Sequence, residues 1–593
     1  MHTAAHLTRD RDTRKLMAVA LGERPADLAV INADLLNVYT GEILSGQAIC
    51  TCDGWIAYVG DPHGQSIAKG TTVIDAAGRT VIPGFIDGHT HVAWGAVASE
   101  ALRYIIKGGT TTIISEALEP YPVAGLKGVI DFIESLQGQP IKCFCTAPAM
   151  VSISPEAGKM PLSDLETLLG RGEVLGLGET YWQALLQEPE RLLPRLEATL
   201  QAGKLLEGHS AGATGKKLNA YIAAGISSCH EPITAQEVLE RLRLGLHVMV
   251  REGSIRRDLK EIAAIRLTGA DLRRLILATD GVQPLDLVEK GYMEYIVRKA
   301  IDYGFDPVAA VQMATLNVAE HFSLDGVIGG IAPGKMADMV IVPDIRTVRA
   351  ETVISNGAVI VEKGEVLVMP RRHAWRKNSL STVRLPRAMV PGDFRIAVET
   401  PAAEVRVRLI DQITDLVTAE AEVNLPVVDG AICSAVDRDI IKVAAVDRAL
   451  RPGKTGTGFV RGFGLTSGAY ACSAAWDASD IIVVGTDDAD MAAAVNRIHA
   501  LQGGAVVIEK GLVIAELAMP VLGLASDLPL EETIDGLNMI ADELARRGVG
   551  FPDPLLTLVT LTGAAIPFLR ICEEGLVSLK DGKSKALVIE RAS

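Results

Sequence analysis

Eight apolar, β-type runs that each end in polar residues fill the middle of the chain and limit the folds open to it. Helix-type segments such as LSDLETLLGRG and TAQEVLERLRLG separate most of these runs. Eight alternating β/α units over roughly 250 residues predict a (β/α)8 barrel. The run ends are VIPGFIDGHTHV, GTTTIISEAL, IKCFCTAPAM, VLGLGET, LLEGHS, GISSCHE, HVMVREGS and LILATDG.

The segments on either side of this middle region have a different sequence pattern. Short strands with turns occupy 28–83, and similar ones return over 338–368. This predicts a small composite β-sandwich domain, residues 1–83 plus 331–375, flanking a hydrolase barrel over 84–330. After a basic, proline-containing link, strand–helix–strand patterns recur over 376–593. We therefore predict an α/β fold with three parts: the barrel, the β-sandwich domain and a C-terminal α/β domain.

Composition narrows the possible partners and the compartment. Of the 593 residues, 48% are hydrophobic, which allows a large core, and the net charge of −15 argues against a nucleic-acid partner. No apolar run reaches the roughly 18 residues of a membrane span, and the N-terminus lacks the apolar core of a signal peptide. The eight cysteines are best explained as reduced thiols. We expect a cytoplasmic protein that binds neither nucleic acid nor membrane.

Histidines and carboxylates stand where the predicted barrel strands end, which is where such barrels carry their catalytic groups. His89 and His91 close the first strand, and side chains two apart on a strand point the same way, so both can bind one metal ion. Single ligand-type residues close four later strands. The predicted metal ligands are His89, His91, Glu179, His209, His230 and Asp280.

Six ligands are more than one ion needs. Imidazole and carboxylate donors without thiolate suit Zn, Mn or Fe, and a carboxylate at the position of Glu179 can bridge two ions. Water held between two cations loses a proton readily at neutral pH. Asp280 could accept that proton during attack and deliver it to a leaving nitrogen. We therefore predict Asp280 and Glu179 as the catalytic residues.

The segment VREGS places three more polar residues at the end of the seventh strand. Arg251, Glu252 and Ser254 are predicted to bind substrate or support the ligands. The alternative is a helix N-cap at Ser254 beside a solvated ion pair.

The motif PGFIDGHTHV, the later His209, His230 and Asp280, and the segment ATLNVAEHFSLDGVIGGIAPGKMADMVIV together resemble the amidohydrolase superfamily. Glu179 in place of lysine, EGHSAGATGKKLNAYIAAGISSCHE, and the C-terminal GTGFVRGFGLTSGA, DIIVVGTDDADMAAAVNRI and LAMPVLGLASD resemble bacterial adenine deaminases. The resemblance covers nearly the whole chain. It implies a binuclear centre, commonly of Mn or Fe, and hydrolytic loss of ammonia from C6 of adenine.

Two functions stay open from the sequence. The first is deamination of adenine, or of a related aminopurine or N-heterocycle, in which adenine and water give hypoxanthine and ammonia. The alternative is hydrolytic opening of a cyclic amide such as a lactam, imide or hydantoin, without ammonia release. Trp476 and Leu118 stand where adenine deaminases carry polar residues, which favours a differently substituted ring over adenine itself. A non-catalytic homologue is disfavoured because all six ligands are present.

The expected cofactors are two divalent ions per subunit, with Mn as the first candidate and Fe or Zn as alternatives. The expected partner is a small nitrogen heterocycle as substrate. We also expect the chain to form a homo-oligomer, a dimer or larger.

Overall fold

A computed structural model describes residues 7–8, 11–61, 66–92 and 94–589. The prediction that the chain carries no export signal falls partly on residues 1–6, which lie outside the described residues. The same holds for the outer limits of the first and last predicted domains, at residues 1 and 593.

The N-terminal segment contributes one helix and five strands to a β-rich unit. Strand β1 lies at its centre, where it pairs antiparallel with β2 and parallel with both β4 and β5. The elements are α1 (Thr13–Ala20), β1 (Leu28–Asn37), β2 (Glu42–Cys52), β3 (Trp55–Gly60), β4 (Thr72–Asp75) and β5 (Thr80–Pro83).

Eight parallel strands with intervening helices follow. The strands are β6 (Phe85–Thr90), β8 (Thr110–Glu116), β9 (Lys142–Ala147), β10 (Val174–Tyr181), β11 (Leu205–His209), β12 (Ser228–Cys229), β13 (His247–Arg251) and β14 (Leu275–Ala278), with the short β7 (Gly95–Ala96) after the first. The helices are α2 (Ala98–Ile105), α3 (Pro120–Ser135), α4 (Leu162–Leu169), α5 (Trp182–Gln187), α6 (Pro189–Gln201), α7 (Gly215–Ala223), α8 (Ala235–Arg243), α9 (Leu259–Ile262), α10 (Pro284–Glu289), α11 (Met293–Asp302), α12 (Pro307–Met313) and α13 (Leu316–His321).

These eight strands form the predicted barrel. Their ladders comprise a five-stranded sheet, β11-β10-β9-β8-β6, and a three-stranded sheet, β12-β13-β14. Backbone hydrogen bonds of 2.9 Å connect the two sheets on both sides, from Ser227 N to Leu206 O and from Asp280 N to His89 O. The strands are almost entirely buried, as expected for parallel strands covered by helices. The predicted barrel is confirmed.

The chain then returns to the N-terminal unit. Strand β15 pairs antiparallel with β5, which places Met339 opposite Pro83 and completes a nine-stranded sheet. Apolar residues from both segments share one core, among them Leu35, Ile49 and Ile341. The flanking β-domain is therefore built from the two chain segments that precede and follow the barrel. Its last strands are β15 (Met339–Val342), β16 (Thr352–Ser355), β17 (Ala358–Glu362) and β18 (Glu365–Val366).

The C-terminal part is a mixed α/β unit around a second nine-stranded sheet, ordered β21-β20-β19-β23-β22-β25-β24-β26-β27. Its strands are β19 (Glu404–Gln412), β20 (Thr418–Val428), β21 (Ala431–Ile432), β22 (Ile440–Asp447), β23 (Thr455–Arg461), β24 (Ala469–Cys472), β25 (Asp480–Gly485), β26 (Gly504–Glu509), β27 (Leu512–Ala518), β28 (Ala525–Ser526), β29 (Leu569–Cys572), β30 (Gly575–Ser578) and β31 (Lys583–Lys585). Its helices are α14 (Asp488–Leu501), α15 (Leu530–Arg546) and α16 (Pro554–Val559).

Two contacts fix this unit against the barrel. Strand β28 pairs in parallel with β7, immediately after the first barrel strand. The buried Asp131 of α3 accepts hydrogen bonds from the link that leads into the C-terminal part, including one of 2.8 Å with His373 Nε2. Over the part of the chain that the structure describes, no helix has both the length and the hydropathy to span a membrane.

Candidate metal centre and its cavity

The six predicted ligands meet at the carboxyl-terminal mouth of the barrel. Five of the six side chains are buried, and that of His91 is partly exposed. His89, Glu179 and His209 lie within strands β6, β10 and β11, whereas His91, His230 and Asp280 follow the ends of β6, β12 and β14.

One ligand group consists of His89, His91, Glu179 and Asp280, each offering one atom within 4.8 Å of the others. Asp280 Oδ1 lies 3.1 Å from His89 Nε2 and 3.5 Å from His91 Nε2. Glu179 Oε1 lies 3.4 Å and 3.6 Å from the same two nitrogens. Two imidazoles and two carboxylates thus converge on one small volume.

A second group consists of Glu179, His209 and His230. Its closest approaches are 3.3 Å between His230 Nε2 and Glu179 Oε1, and 3.2 Å between His230 Nε2 and His209 Nδ1. Glu179 therefore belongs to both groups. A third arrangement of His230, Glu231 and Asp280 adds a carboxylate that sequence reasoning missed.

The charge balance of the cluster fits divalent cations. Burial lowers the pKa of His89, but hydrogen bonding to Asp280 and Glu179 outweighs it and raises that pKa to about 10. For His91, burial is likewise outweighed, by Glu119 and Asp280, and its pKa rises well above the usual range. The raised pKa values of these two histidines show that the carboxylates around them favour positive charge within the cluster. Nitrogen and oxygen donors of this kind bind Mn, Fe or Zn, which can supply that charge in place of ring protons.

Two further carboxylates lie near the Nδ1 atoms of His89 and His91, whose Nε2 atoms face the ligand cluster. Glu116 Oε1 lies 3.6 Å from His89 Nδ1, and Glu119 contacts His91 Nδ1. A carboxylate on the outer ring nitrogen fixes the orientation of a metal-binding histidine. Gly178 leaves room for the Glu116 carboxyl group, since a Cβ at residue 178 would lie 2.0 Å from Glu116 Oε2. Burial raises the pKa of Glu116 to about 7, although His89 opposes the shift.

Arg251 lies beside Asp280 inside the barrel mouth. Its Nη1 donates a 3.0 Å hydrogen bond to Asp280 Oδ2, its Nη2 donates one of 3.2 Å to Asp258 Oδ2, and it also pairs with Glu231. Burial raises the pKa of Asp280, but His89, His91 and Arg251 outweigh it and hold that pKa well below its usual range. Arg251 thus keeps the predicted catalytic carboxylate ionised and fixed in place.

The other two predicted substrate-binding residues do not line the cavity. Glu252 pairs with Lys299 of α11 and accepts the backbone N–H of Leu259 at 3.2 Å. Ser254 Oγ donates to Asp286 Oδ2 at 2.8 Å and accepts the N–H of Gln283. For Glu252 the reason is strand alternation, because it directly follows Arg251, which points into the barrel mouth. Substrate contact by Glu252 or Ser254 stays a prediction that this geometry does not favour.

A cavity of about 250 Å³ opens onto the ligands. The barrel contributes His91, Glu179, His209, Arg251 and Asp280 to its wall, and also Leu118. The C-terminal part also contributes to the wall, with Leu416, Val417, Trp476, Asp477, Ala565, Ile566 and Pro567.

Trp476 and Asp477 bring aromatic and acidic groups into this cavity. The Trp476 ring lies nearly parallel to that of His91, with centroids 6.3 Å apart and 13° between the planes. Tyr181 connects Asp477 to the metal cluster, because its hydroxyl lies 3.0 Å from Glu179 Oε2 and 3.3 Å from both oxygens of Asp477. Neither Tyr181 nor Asp477 was predicted from the sequence.

Comparison with known proteins gives two family matches and many close relatives. Residues 80–366 match the Amidohydrolase family, and residues 415–583 match the Adenine deaminase C-terminal domain. An adenine deaminase of Clostridium botulinum (strain Loch Maree / Type A3) is 34% identical over 587 residues, covering 98% of each chain. One of Moorella thermoacetica is 36% identical over 585 residues, covering 97% of this chain and 98% of its own.

Solved structures match over part of the chain at lower identity. A β-aspartyl dipeptidase from Fervidobacterium islandicum AW-1 has a TM-score of 0.46 at 17% identity, over 57% of this chain and 97% of its own. Enamidase, described as a new member of the amidohydrolase superfamily, has a TM-score of 0.45 at 22% identity, over 58% and 99% of the two chains.

Proposed function

The chain belongs to the adenine deaminase family, and from this premise we propose that it hydrolyses the exocyclic C–N bond of adenine or a closely related aminopurine, releasing ammonia. The observation that carries this proposal is the position of Glu179, which two groups of ligand-type side chains share at the wall of one cavity. Leu118 and Trp476 also lie at this wall, so the expectation that they favour a substituted ring over adenine stays a prediction.

The residues that would hold two divalent ions are those of the two groups that share Glu179. Mn is the first candidate, and Fe or Zn are the alternatives. When bound, such ions lower the pKa of water, so that a nucleophile is available at neutral pH. The carboxylates of Glu116 and Glu119 would hold the His89 and His91 rings in the orientation that ligation needs.

Asp280 is the proposed proton carrier. Its Oδ1 faces the ligand cluster, and its Oδ2 is tethered by Arg251, so the carboxylate is ionised and positioned before substrate arrives. An ionised carboxylate can accept the proton of the attacking water and pass it to the departing amine. Leu416, Val417, Ile566 and Pro567 add apolar groups to the wall of the same cavity.

We also propose the domain limits predicted above, 1–83 plus 331–375, 84–330 and 376–593, and a homo-oligomeric assembly. Limited proteolysis tests the limits, since cleavage should spare the interiors of the proposed units. Light scattering tests the assembly.

The experiment for the activity uses Mn-loaded protein with adenine, a panel of substituted aminopurines, and lactam, imide and hydantoin rings. Ammonia and ring absorbance are measured in the same samples. Ammonia release together with formation of the oxopurine supports the proposal. A new carboxylate without ammonia would instead establish the cyclic amide alternative, and the absence of both reactions would overturn the hydrolase assignment for these substrate classes.

A further inference from the structure

We propose that Asp477 is the substrate-recognition residue that the C-terminal part supplies, and that its carboxyl group hydrogen-bonds a ring nitrogen of the heterocycle. This inference rests on the proposed function, because it assumes that a nitrogen heterocycle occupies the cavity. It adds a specificity residue from outside the barrel, at a position that the metal cluster does not explain.

The position of Asp477 suits a ligand-facing group. It lies in the turn between β24 and β25, its side chain is 3% exposed, and it lines the same cavity as Glu179 and Asp280. Its backbone has φ +58°, in the left-handed region that side chains other than glycine rarely adopt. Such backbone strain persists only where the surroundings enforce it, and it concentrates at functional sites.

One carboxyl oxygen of Asp477 can accept a further hydrogen bond. Its Oδ2 accepts the backbone N–H of Ala564 at 2.8 Å. Tyr181 has one hydroxyl proton, which lies within reach of both Asp477 and Glu179. The contact with Glu179 is the shorter of the two, at 3.0 Å against 3.3 Å for Asp477. When Tyr181 donates to Glu179, Asp477 Oδ1 keeps no committed donor among the residues that the structure describes. A buried carboxyl oxygen in that state is costly unless a ligand completes its bonding.

The chemistry around Asp477 indicates what that ligand offers. Among the described residues of the C-terminal part that line the cavity, Asp477 is the only one with an acidic or basic side chain. Its immediate neighbour Trp476 offers an aromatic face, while Leu416, Ile566 and Pro567 are apolar. A flat ring with N–H groups at its edge matches this combination, because the face packs on apolar and aromatic surface and the edge N–H pairs with the carboxyl.

The test compares Asp477→Asn and wild type on adenine, 9-methyladenine, 7-deazaadenine and 3-deazaadenine. The Asn amide replaces one acceptor oxygen with an NH2 group, and a ring N–H left without its acceptor in the cavity should raise KM for adenine roughly 10–100-fold with a smaller change in kcat. Wild type should discriminate well between adenine and at least one of these analogues. The variant should discriminate poorly between the same two compounds. A KM within twofold of wild type, or unchanged analogue ratios, would overturn the proposal.

Two controls separate recognition from damage to the fold. Asp480→Asn alters a buried carboxyl group at the start of β25, three residues after Asp477, that does not line the cavity, and it should leave KM unchanged. Bound Mn and the thermal unfolding midpoint are measured for all variants, and Asp477→Asn should match wild type in bound Mn. A KM increase accompanied by loss of bound Mn would assign Asp477 to metal retention and overturn recognition.

Calorimetric titration with adenine and hypoxanthine distinguishes failure of this proposal from failure of the proposed function. If wild type binds adenine but releases no ammonia, the deaminase proposal fails, and Asp477→Asn must still weaken that binding at least tenfold. If wild type binds neither base, both proposals fail.

Discussion

Arg251 Nη1 donates a 3.0 Å hydrogen bond to Oδ2 of Asp280. The other oxygen of the same carboxylate lies 3.1 Å from His89 Nε2. The two oxygens of Asp280 therefore have different environments, one tethered to a cation of the chain and the other facing the ligand cluster. This asymmetry is what a carboxylate needs in order to stay oriented while it accepts and releases a proton.

Replacing Asp280 with Asn should abolish most turnover while leaving the metal site largely occupied. Loss of general acid–base help typically lowers kcat by about 10²–10⁴-fold. Steady-state kinetics and metal analysis of Mn-loaded protein measure the two effects, with the exposed Asp302→Asn as a matched control. Near-normal activity in Asp280→Asn would refute the assigned role.

Arg251→Met distinguishes support of Asp280 from direct substrate binding. The buried guanidinium pairs with the partly buried Glu231 and with the buried Asp258 and Asp280, so its removal takes one cation away from three carboxylates. Breaking a buried ion pair typically lowers the free energy of unfolding by about 3–5 kcal/mol. We expect a loss of that size in chemical denaturation, together with reduced kcat. A variant of normal stability whose KM alone rises would show that Arg251 binds substrate instead.

Glu179→Gln should reduce the metal content. Glu179 belongs to two ligand groups, so a neutral amide there weakens both sites at once. Wild-type protein prepared with excess Mn should approach two ions per chain, and the variant should hold one or fewer. A wild-type limit of one ion, with Glu179 remote from it in a metal-bound structure, would contradict the bridging role.

The six proposed ligands could be predicted because each closes a barrel strand, and parallel strands in a barrel end at one mouth. The supporting carboxylates were harder to predict. Glu116 ends β8 and could have been found by the same reasoning, whereas Glu119 lies beyond the strand and meets His91 only through the turn into α3. Strand alternation applied to VREGS would have separated Arg251, which lines the cavity, from Glu252, whose substrate contact stays a prediction. Asp477 is nearly 300 residues from Tyr181 in sequence, so no local pattern indicates their contact.

Asp480→Asn should stabilise the protein increasingly as pH rises. Burial, with Glu573 and Asp447 nearby, raises the pKa of Asp480 well above its usual range. In the unfolded chain this carboxyl ionises near pH 4, but the folded protein keeps the proton to higher pH. Wild-type stability therefore falls as pH rises from about 4 towards the folded pKa, and the amide variant avoids that loss. Thermal unfolding at pH 4 and pH 8 should show a larger gain for the variant at pH 8. A gain independent of pH would contradict the raised pKa.

Arg570 should control the shape of the cavity without touching its contents. The side chain is fully buried, and its guanidinium donates to the carbonyls of Ile566 at 2.7 Å, Leu416 at 2.8 Å and Pro567 at 3.0 Å. All three of these residues line the cavity, so one guanidinium holds two separate loops of its cover together. Burial lowers the pKa of Arg570 to about 9, which reflects the cost of placing this group where only carbonyls meet it.

Arg570→Met should therefore raise KM for the aminopurine substrate by about tenfold, with a smaller effect on kcat, because the cover loses its fixed shape while Asp280 and the ligands are untouched. Each carbonyl left without a partner costs about 1–3 kcal/mol of folding free energy if it stays buried. Arg497→Met is the matched control, since it removes a partly exposed pair with Glu516 in the same unit and typically costs about 0–1 kcal/mol. A variant that loses stability but keeps the wild-type KM would show that Arg570 serves the fold alone.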